Sequence, residues 1–309
     1  MQKILADSLP RLALKSIGMT DKEVRIGISG WTYVPWRGVF YPKGLVQKRE
    51  LEYASRQMNS IEVNGTFYSL QRPESFEKWA GETPDDFLFS VKGPKYITHM
   101  KKLTDIKFPL ANFFASGVLK LGKKLGPILW QFPPWLGYGQ DRFAAFIDLL
   151  PRTSGEASAL AGEHTLKKKN WIWTEAIADT KLQYAFEVRH PGFLNPDFIK
   201  LLRKNNIALV FADSAGKWPY AEDVTGDIIY IRLHGAEELY ASGYSDDQLR
   251  WWARRIEKWM AGSEPADATK VIDSGPRRKK RGIYVYFDND IKVKAPFDAM
   301  RLAEMLEGK

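Results

Sequence analysis

The sequence predicts an α/β chain folded as a single (β/α)8 barrel of the TIM type, on three observations. Eight short runs rich in β-branched and aromatic residues alternate with amphipathic segments along most of the chain. Its 309 residues suit one such barrel, ordinarily about 250 residues, with additions. The polar residues of those runs gather at their C-terminal ends, the rim where parallel barrels carry their sites.

The predicted strands are Val24–Ser29, Ser60–Asn64, Phe87–Lys92, Ile128–Phe132, Tyr184–Arg189, Ile207–Asp213, Ile228–His234 and Ile283–Phe287. Helical patterns fall between them. Gln47–Met58 puts Leu51, Ala54 and Met58 on one stripe, and Pro73 opens a short helix carrying Phe76 and Trp79. Leu110–Leu125, Arg142–Leu150, Pro196–Asn205 and Ala299–Glu307 read the same way. Asp246–Ala261 is the clearest, with Ser245 and Gln248 spaced as a capping box. Ser214–Asp227 is too short and polar for a full helix. The additions are an N-terminal extension over 1–23, before a barrel domain over 24–309, and two loop insertions, Arg152–Asn170 and Gly262–Gly282.

Composition narrows the classes. With no cysteine, disulfides, thiolate metal sites, iron–sulfur ligation and cysteine nucleophiles are excluded. At 44% hydrophobic and 27% charged, the chain is neither disordered nor membrane-like, and no apolar run approaches the roughly 18 residues of a membrane span. Charges at Lys3, Asp7, Arg11 and Lys15 interrupt any signal-peptide core, so a cytoplasmic protein is expected. The net charge of +9 sits almost wholly in Lys167–Lys169 and Arg277–Arg281, which hold eight positive charges. Both tracts precede strands, at the barrel end opposite the rim. Solvated loops are therefore favoured over a nucleic-acid contact, and no membrane partner is expected.

Strand alternation sorts the polar residues. Glu62 and Asn64 should point inward while Ile61 and Val63 face the helices. Glu187 and Arg189 point inward beside outward Phe186 and Val188, and Tyr230, Arg232 and His234 beside outward Ile229, Ile231 and Leu233. Ser29, Ser90, Lys92, Gln131 and Asp213 complete the expected mouth. Unpaired charges are costly to bury, so this ensemble reads as a ligand site, although ion pairs closing the barrel top would account for any single residue. A divalent ion on Glu62, Glu187, Asp213 and His234 is geometrically conceivable, so metal content stays open. No nucleotide-cofactor motif is present: Gly117–Lys124 imitates a phosphate loop but ends on Lys and precedes a strand instead of following one.

Several stretches resemble one known family, the YecE-like barrels, catalogued as a domain of unknown function. They are Ile28-Ser29-Gly30-Trp31-Thr32-Tyr33, Glu62-Val63-Asn64-Gly65-Thr66-Phe67-Tyr68, Phe89-Ser90-Val91-Lys92, Leu129-Trp130-Gln131-Phe132-Pro133-Pro134 and Phe186-Glu187-Val188-Arg189-His190. Ala212-Asp213-Ser214, Tyr230-Ile231-Arg232-Leu233-His234-Gly235 and Tyr284-Val285-Tyr286-Phe287-Asp288-Asn289 continue the order. The resemblance implies a TIM-type barrel with shared polar residues around its mouth, Tyr68 and Asn289 among them, and supplies no reaction. Asp288 stands where the family more often has Asn, which adds an acid to the rim.

The expectation is an enzyme acting on a small polar, anionic or sugar-like substrate by acid/base chemistry, with Glu62 and Glu187 as the pair and Asp213 and His234 beside them. Ser29, Asn64, Tyr68, Lys92, Gln131, Arg189, Arg232 and Asn289 would bind the substrate. The alternatives are a metal-dependent phosphoesterase on nucleic acid and a non-catalytic ligand-binding barrel. Oligomeric state is not legible.

Overall fold

In the computed structural model, residues 24–273 and 281–308 are described. The 1–23 extension and 277–280 of the second basic tract lie outside them. Strands β1 (Val24–Ser29), β2 (Ser60–Val63), β3 (Leu88–Lys92), β4 (Leu125–Gln131), β5 (Tyr184–Glu187), β6 (Ala208–Asp213), β7 (Ile228–Leu233) and β8 (Gly282–Phe287) form a closed barrel in sequence order. All pairs are parallel, and β8 closes on β1 with Val24 opposite Ile283 and Gly27 opposite Tyr286. Every predicted strand is present, at most three residues from its expected bounds.

The helices are α1 (Glu50–Gln57), α2 (Gly65–Tyr68), α3 (Pro73–Glu82), α4 (Lys107–Ala115), α5 (Gln140–Asp148), α6 (Ser154–Ala161), α7 (Pro196–Asn205), α8 (Asp246–Met260) and α9 (Ala295–Glu307). The capping box of α8 is made as expected, with Ser245 Oγ accepting from the Gln248 amide and the Gln248 side chain accepting from the Ser245 amide. No helix of the described residues is long and apolar enough to cross a membrane.

Four expectations need correction. The Leu110–Leu125 helix ends at Ala115 and resumes as 3-10 turns over Val118–Lys124, because Gly117 adopts φ 106° against Pro73. The Arg152–Asn170 insertion is not all loop: it contains α6, whose N-cap Thr153 accepts from the Glu156 amide at 3.1 Å. The last helix begins at Ala295, four residues before Ala299, with Pro296 in its first turn. Arg281 is buried and donates to the Trp259 and Ser263 carbonyls at the end of α8, where a cation meets the negative end of the helix dipole. It is not part of a solvated loop. Lys167–Lys169 is exposed, as expected.

Two apolar layers divide the core. Outward residues such as Ile61, Val91, Phe186, Phe211 and Ile231 pack under the helices. A separate inner cluster of Leu129, Ala185, Ala208, Val210, Ala212, Tyr230, Tyr284 and Tyr286 fills the barrel. Its small residues make room for the tyrosines, as volume filling inside an eight-stranded barrel requires. Gly27 is small for the same reason: a Cβ there would stand 1.8 Å from the Ser60 carbonyl oxygen.

Candidate functional site at the barrel mouth

The tyrosine hydroxyls mark where the interior turns polar. Tyr286 meets Ser60 Oγ at 2.6 Å, and Tyr230 meets Ser90 Oγ at 2.6 Å while donating to Glu62 Oε2 at 2.6 Å. One layer higher, Arg232 is the hub. Its Nε donates to Glu62 Oε2 at 3.1 Å and its Nη1 to Glu187 Oε2 at 2.6 Å. Its Nη2 reaches Glu62 Oε1 at 2.8 Å, Asp288 Oδ2 at 2.9 Å and Ser29 Oγ at 3.1 Å. The guanidinium is fully buried and has no donor left for an incoming anion. Glu62 is as fully engaged, because the Ser29 hydroxyl, the Tyr230 hydroxyl and Arg232 (through both Nε and Nη2) donate to its two oxygens. It has no lone pair to spare for a substrate proton.

Around this floor, burial pushes Glu187 upward, but Arg232 and Arg189 outweigh it and hold its pKa well below the usual carboxylate range. Asp288 follows the same pattern, held low by Arg232 and the His234 hydrogen bond. Burial and Arg232 lower the His234 pKa, so the ring is neutral at pH 7. With Nδ1 3.0 Å from Asp288 Oδ2 and Nε2 3.4 Å from Arg232 Nη1, Nδ1 carries the proton and Nε2 accepts.

Above the floor lie groups with free capacity. Lys92, at the end of β3, is 7% exposed, and its Nζ makes no hydrogen bond or ion pair among the described residues. It sits 4.4 Å from the centre of the Phe67 ring. Burial and the nearby Arg232 push its pKa down to about 8. Gln131, at the end of β4, is 4% exposed, and its amide makes no hydrogen bond among the described residues. Arg189 gives Nε to Glu187 at 2.9 Å and Nη2 to the Tyr240 hydroxyl at 3.1 Å, with its plane 4.6 Å from the Trp218 ring.

The other expected residues are placed differently. Asp213 faces out of the barrel, since Ala208, Val210 and Ala212 take the inward positions of β6. Its carboxylate is held by the Tyr244 hydroxyl at 3.1 Å and by Trp252, so it does not join the mouth. Asn289 is turned away as well: its Nδ2 donates to the Ser242 carbonyl and to Asp298, both at 2.9 Å, tying the loop after β7 to α9. Tyr68 is 68% exposed beside Lys95 and lines a flanking cavity of about 420 Å³ with Tyr96 and Met100. Asn64 is half-buried beside Tyr33, with its Oδ1 unpartnered. The conceived metal cluster is not assembled: Asp213 points elsewhere and Arg232 occupies the space between Glu62 and Glu187. Among the described residues, no group of three His, Cys, Asp or Glu could share a metal ion.

Sequence reasoning put Asp288 at the rim only through the family resemblance, and it missed His99. Asp288 has the inward parity of Tyr284 and Tyr286, so alternation alone would have placed it in the mouth. His99 had no such signal, because it rides on a π-helical turn, Tyr96–Met100, after β3. Its ring stands edge-on to Phe67 at 5.1 Å and to Trp135 at 6.2 Å, and Thr98 Oγ1 is 2.8 Å from its Nδ1. Burial, then Arg189 and Lys92, lower its pKa to about 4. Positive φ also concentrates at this face. Among the described non-glycine residues it occurs at Lys102, Leu103, Asp105, Ala215, Tyr240 and Val293, all in loops after strands, and elsewhere only at Asn206. Such strain persists where surrounding structure enforces it, commonly at sites.

Fold and site together define a TIM-type barrel protein with a charged, partly unsatisfied mouth at the C-terminal rim. The chain belongs to the family described as "Protein of unknown function DUF72", which it matches over residues 25–309. It is 28% identical over 170 residues to the UPF0759 protein YecE of Escherichia coli strain K12, covering 55% of this chain and 50% of that protein. To the UPF0759 protein YunF of Bacillus subtilis strain 168 it is 28% identical over 126 residues, covering 39% of this chain and 44% of that protein. The matched region thus spans about half the length of these curated relatives. A solved DUF72 family protein from Thermotoga maritima MSB8 superposes with TM-score 0.68 at 23% identity, over 92% of this chain and 99% of that one. Another, from Enterococcus faecalis V583, gives TM-score 0.64 at 16% identity over 92% and 95%. These two likenesses speak to the fold.

Proposed function

We propose that the mouth is the substrate site of an enzyme acting on small anionic molecules, with Lys92 as the group that exchanges protons. The observation that carries this reading is Lys92, a residue 7% exposed at a strand end whose ammonium has no counter-ion in contact among the described residues. A cation buried without a partner costs stability unless something else supplies the opposite charge. Gln131 at the end of β4 and Arg189 just after β5 lie at the same rim and retain donors, so they would share an anionic group with it. A pKa of about 8 leaves part of the Lys92 population unprotonated near neutral pH, which suits proton transfer. The acid/base work expected of Glu62 and Glu187 passes to Lys92, because both carboxylates are committed to the guanidinium floor.

The test is thermal unfolding against a panel of small carboxylates, phosphates and sugar acids, followed by turnover assays on any that stabilise. Anion-dependent stabilisation of the parent that disappears in Lys92→Met is the expected outcome. A parent whose stability ignores every anion in the panel would remove the reading.

A further inference from the structure

We propose that Lys92 is a nucleophile that forms an imine with the carbonyl carbon of a small oxo-acid, whose carboxylate is held by Arg189 and the Gln131 amide. This rests on the reading of the mouth as a substrate site and names the chemistry of that site.

Three features separate Lys92 from a lysine that merely attracts anions. A nucleophilic amine needs a free lone pair, and no hydrogen-bond partner, donor or acceptor, engages its Nζ among the described residues. Its immediate neighbour is a ring face, Phe67 at 4.4 Å, in place of a carboxylate. The charged groups that act on it are Arg232 of β7, Glu62 of β2, Glu187 of β5 and Asp288 after β8, and burial with Arg232 outweighs the acids. The neutral amine is therefore accessible near neutral pH, as imine-forming lysines require. An anion-binding lysine gains nothing from losing its charge.

The partners fit an oxo-acid. Arg189 uses Nε and Nη2 on protein oxygens, and its Nη1 makes no hydrogen bond among the described residues. The Trp218 ring beneath it and the Glu187 bond hold the guanidinium, so a carboxylate would meet one fixed donor, Nη1. In the reaction the Nζ lone pair attacks the carbonyl carbon and the carbonyl π pair moves to oxygen, which takes a proton. The nitrogen loses a proton, the hydroxyl is protonated and leaves as water, and the C=N bond forms as an iminium. Net, one carbonyl, one neutral amine and one proton give one iminium and one water. The protons exchanged in these steps pass to and from solvent water at the open side of the mouth.

The experiment incubates the full chain with pyruvate or glyoxylate, then with sodium borohydride, and maps the adduct by peptide mass spectrometry. One reduced adduct on Lys92 is expected. Acetone, which lacks the carboxylate, should trap about tenfold less, the worth of one charge-assisted contact. Lys92→Arg, checked for folding by circular dichroism, should abolish trapping. Mapping on the parent protein needs no variant and stands even if Lys92→Arg fails to fold. Adducts spread over exposed lysines with Lys92 unmodified would overturn the proposal. Phosphate-dependent thermal stabilisation is measured alongside. If phosphate stabilises the parent but no Lys92 adduct forms, the imine falls and the substrate site stands; if neither occurs, both fall.

Discussion

Arg232 shows how a side chain that parity places at the mouth can have its donors consumed by the protein itself. Its position on β7 predicted a cation at the mouth, and it is there, but three carboxylates surround it below the open groups. Arg232→Met would leave Glu62, Glu187 and Asp288 facing one another without their counter-charge. A loss of roughly 3–5 kcal/mol in urea unfolding is expected, the range for breaking a buried pair from one side. A variant within about 1 kcal/mol of the parent would mean that the floor is not held by this hub. Lys92 is the contrasting residue, because no carboxylate pairs with it among the described residues and the Phe67 ring lies against its ammonium instead. The two cations sit on neighbouring layers of one barrel, and only their contacts tell them apart.

At the scale of elements, loops after strands carry the open chemistry and loops before strands carry latches. Glu222 and Asp223, ahead of β7, are buried, and Asp223 accepts the Val271 and Ile272 amides at 2.7 and 3.0 Å. Glu222 accepts the Thr269 amide at 3.1 Å and pairs with Arg255 of α8 at 3.2 Å. Asp223→Ala should therefore speed hydrogen exchange at Val271 and Ile272, with a stability loss of roughly 1.5–3 kcal/mol for charge-assisted bonds, while anion binding at the mouth is unchanged. Unaltered protection at those two amides would refute the latch. All eight strands were legible because short β-branched and aromatic runs set between amphipathic segments are a local signal of the sequence. The α6 helix was missed although Thr153 and Glu156 have capping spacing, since a short Ala-rich segment carries little amphipathic signal. The break at Gly117 was missed because its cause is the approach of Pro73, 44 positions earlier.

For the molecule as a whole, pH should act through the mouth with a definite sign. Glu187 and Asp288 have pKa values lowered on folding, so they stabilise above the ordinary carboxylate range and that contribution is lost as pH falls through and below about 4. Lys92 acts in the other direction. Its pKa is 10.5 ordinarily and about 8 here, so the unfolded chain binds more protons between those values and stability rises with pH from about 8. Above about 10 the buried Tyr184, Tyr230 and Tyr286, whose pKa values are raised by burial, reverse the trend. Lys92→Met should remove the rise and be more stable than the parent at pH 7 by about 3 kcal/mol at most. Urea unfolding from pH 5 to 10 checks it, and a variant less stable than the parent at pH 7 would show that Lys92 is satisfied after all.

Within this molecule, the order of strands, the inward parity of Glu62, Lys92, Gln131, Glu187, Arg232 and His234, and the barrel that collects them were determined by the sequence itself. Alternation and strand-end position are local properties, and the closed parallel topology converts them into a shared rim. Tertiary structure alone decided which of those groups satisfy one another. Glu62 and Arg232, 170 positions apart, cancel as a pair, whereas Lys92 and Gln131 are left open. It also turned Asp213 and Asn289 outward, and brought His99 in on a loop with no periodicity to read. Pairing depends on distances of a few ångströms between strands remote in sequence, and no pattern along one strand encodes them.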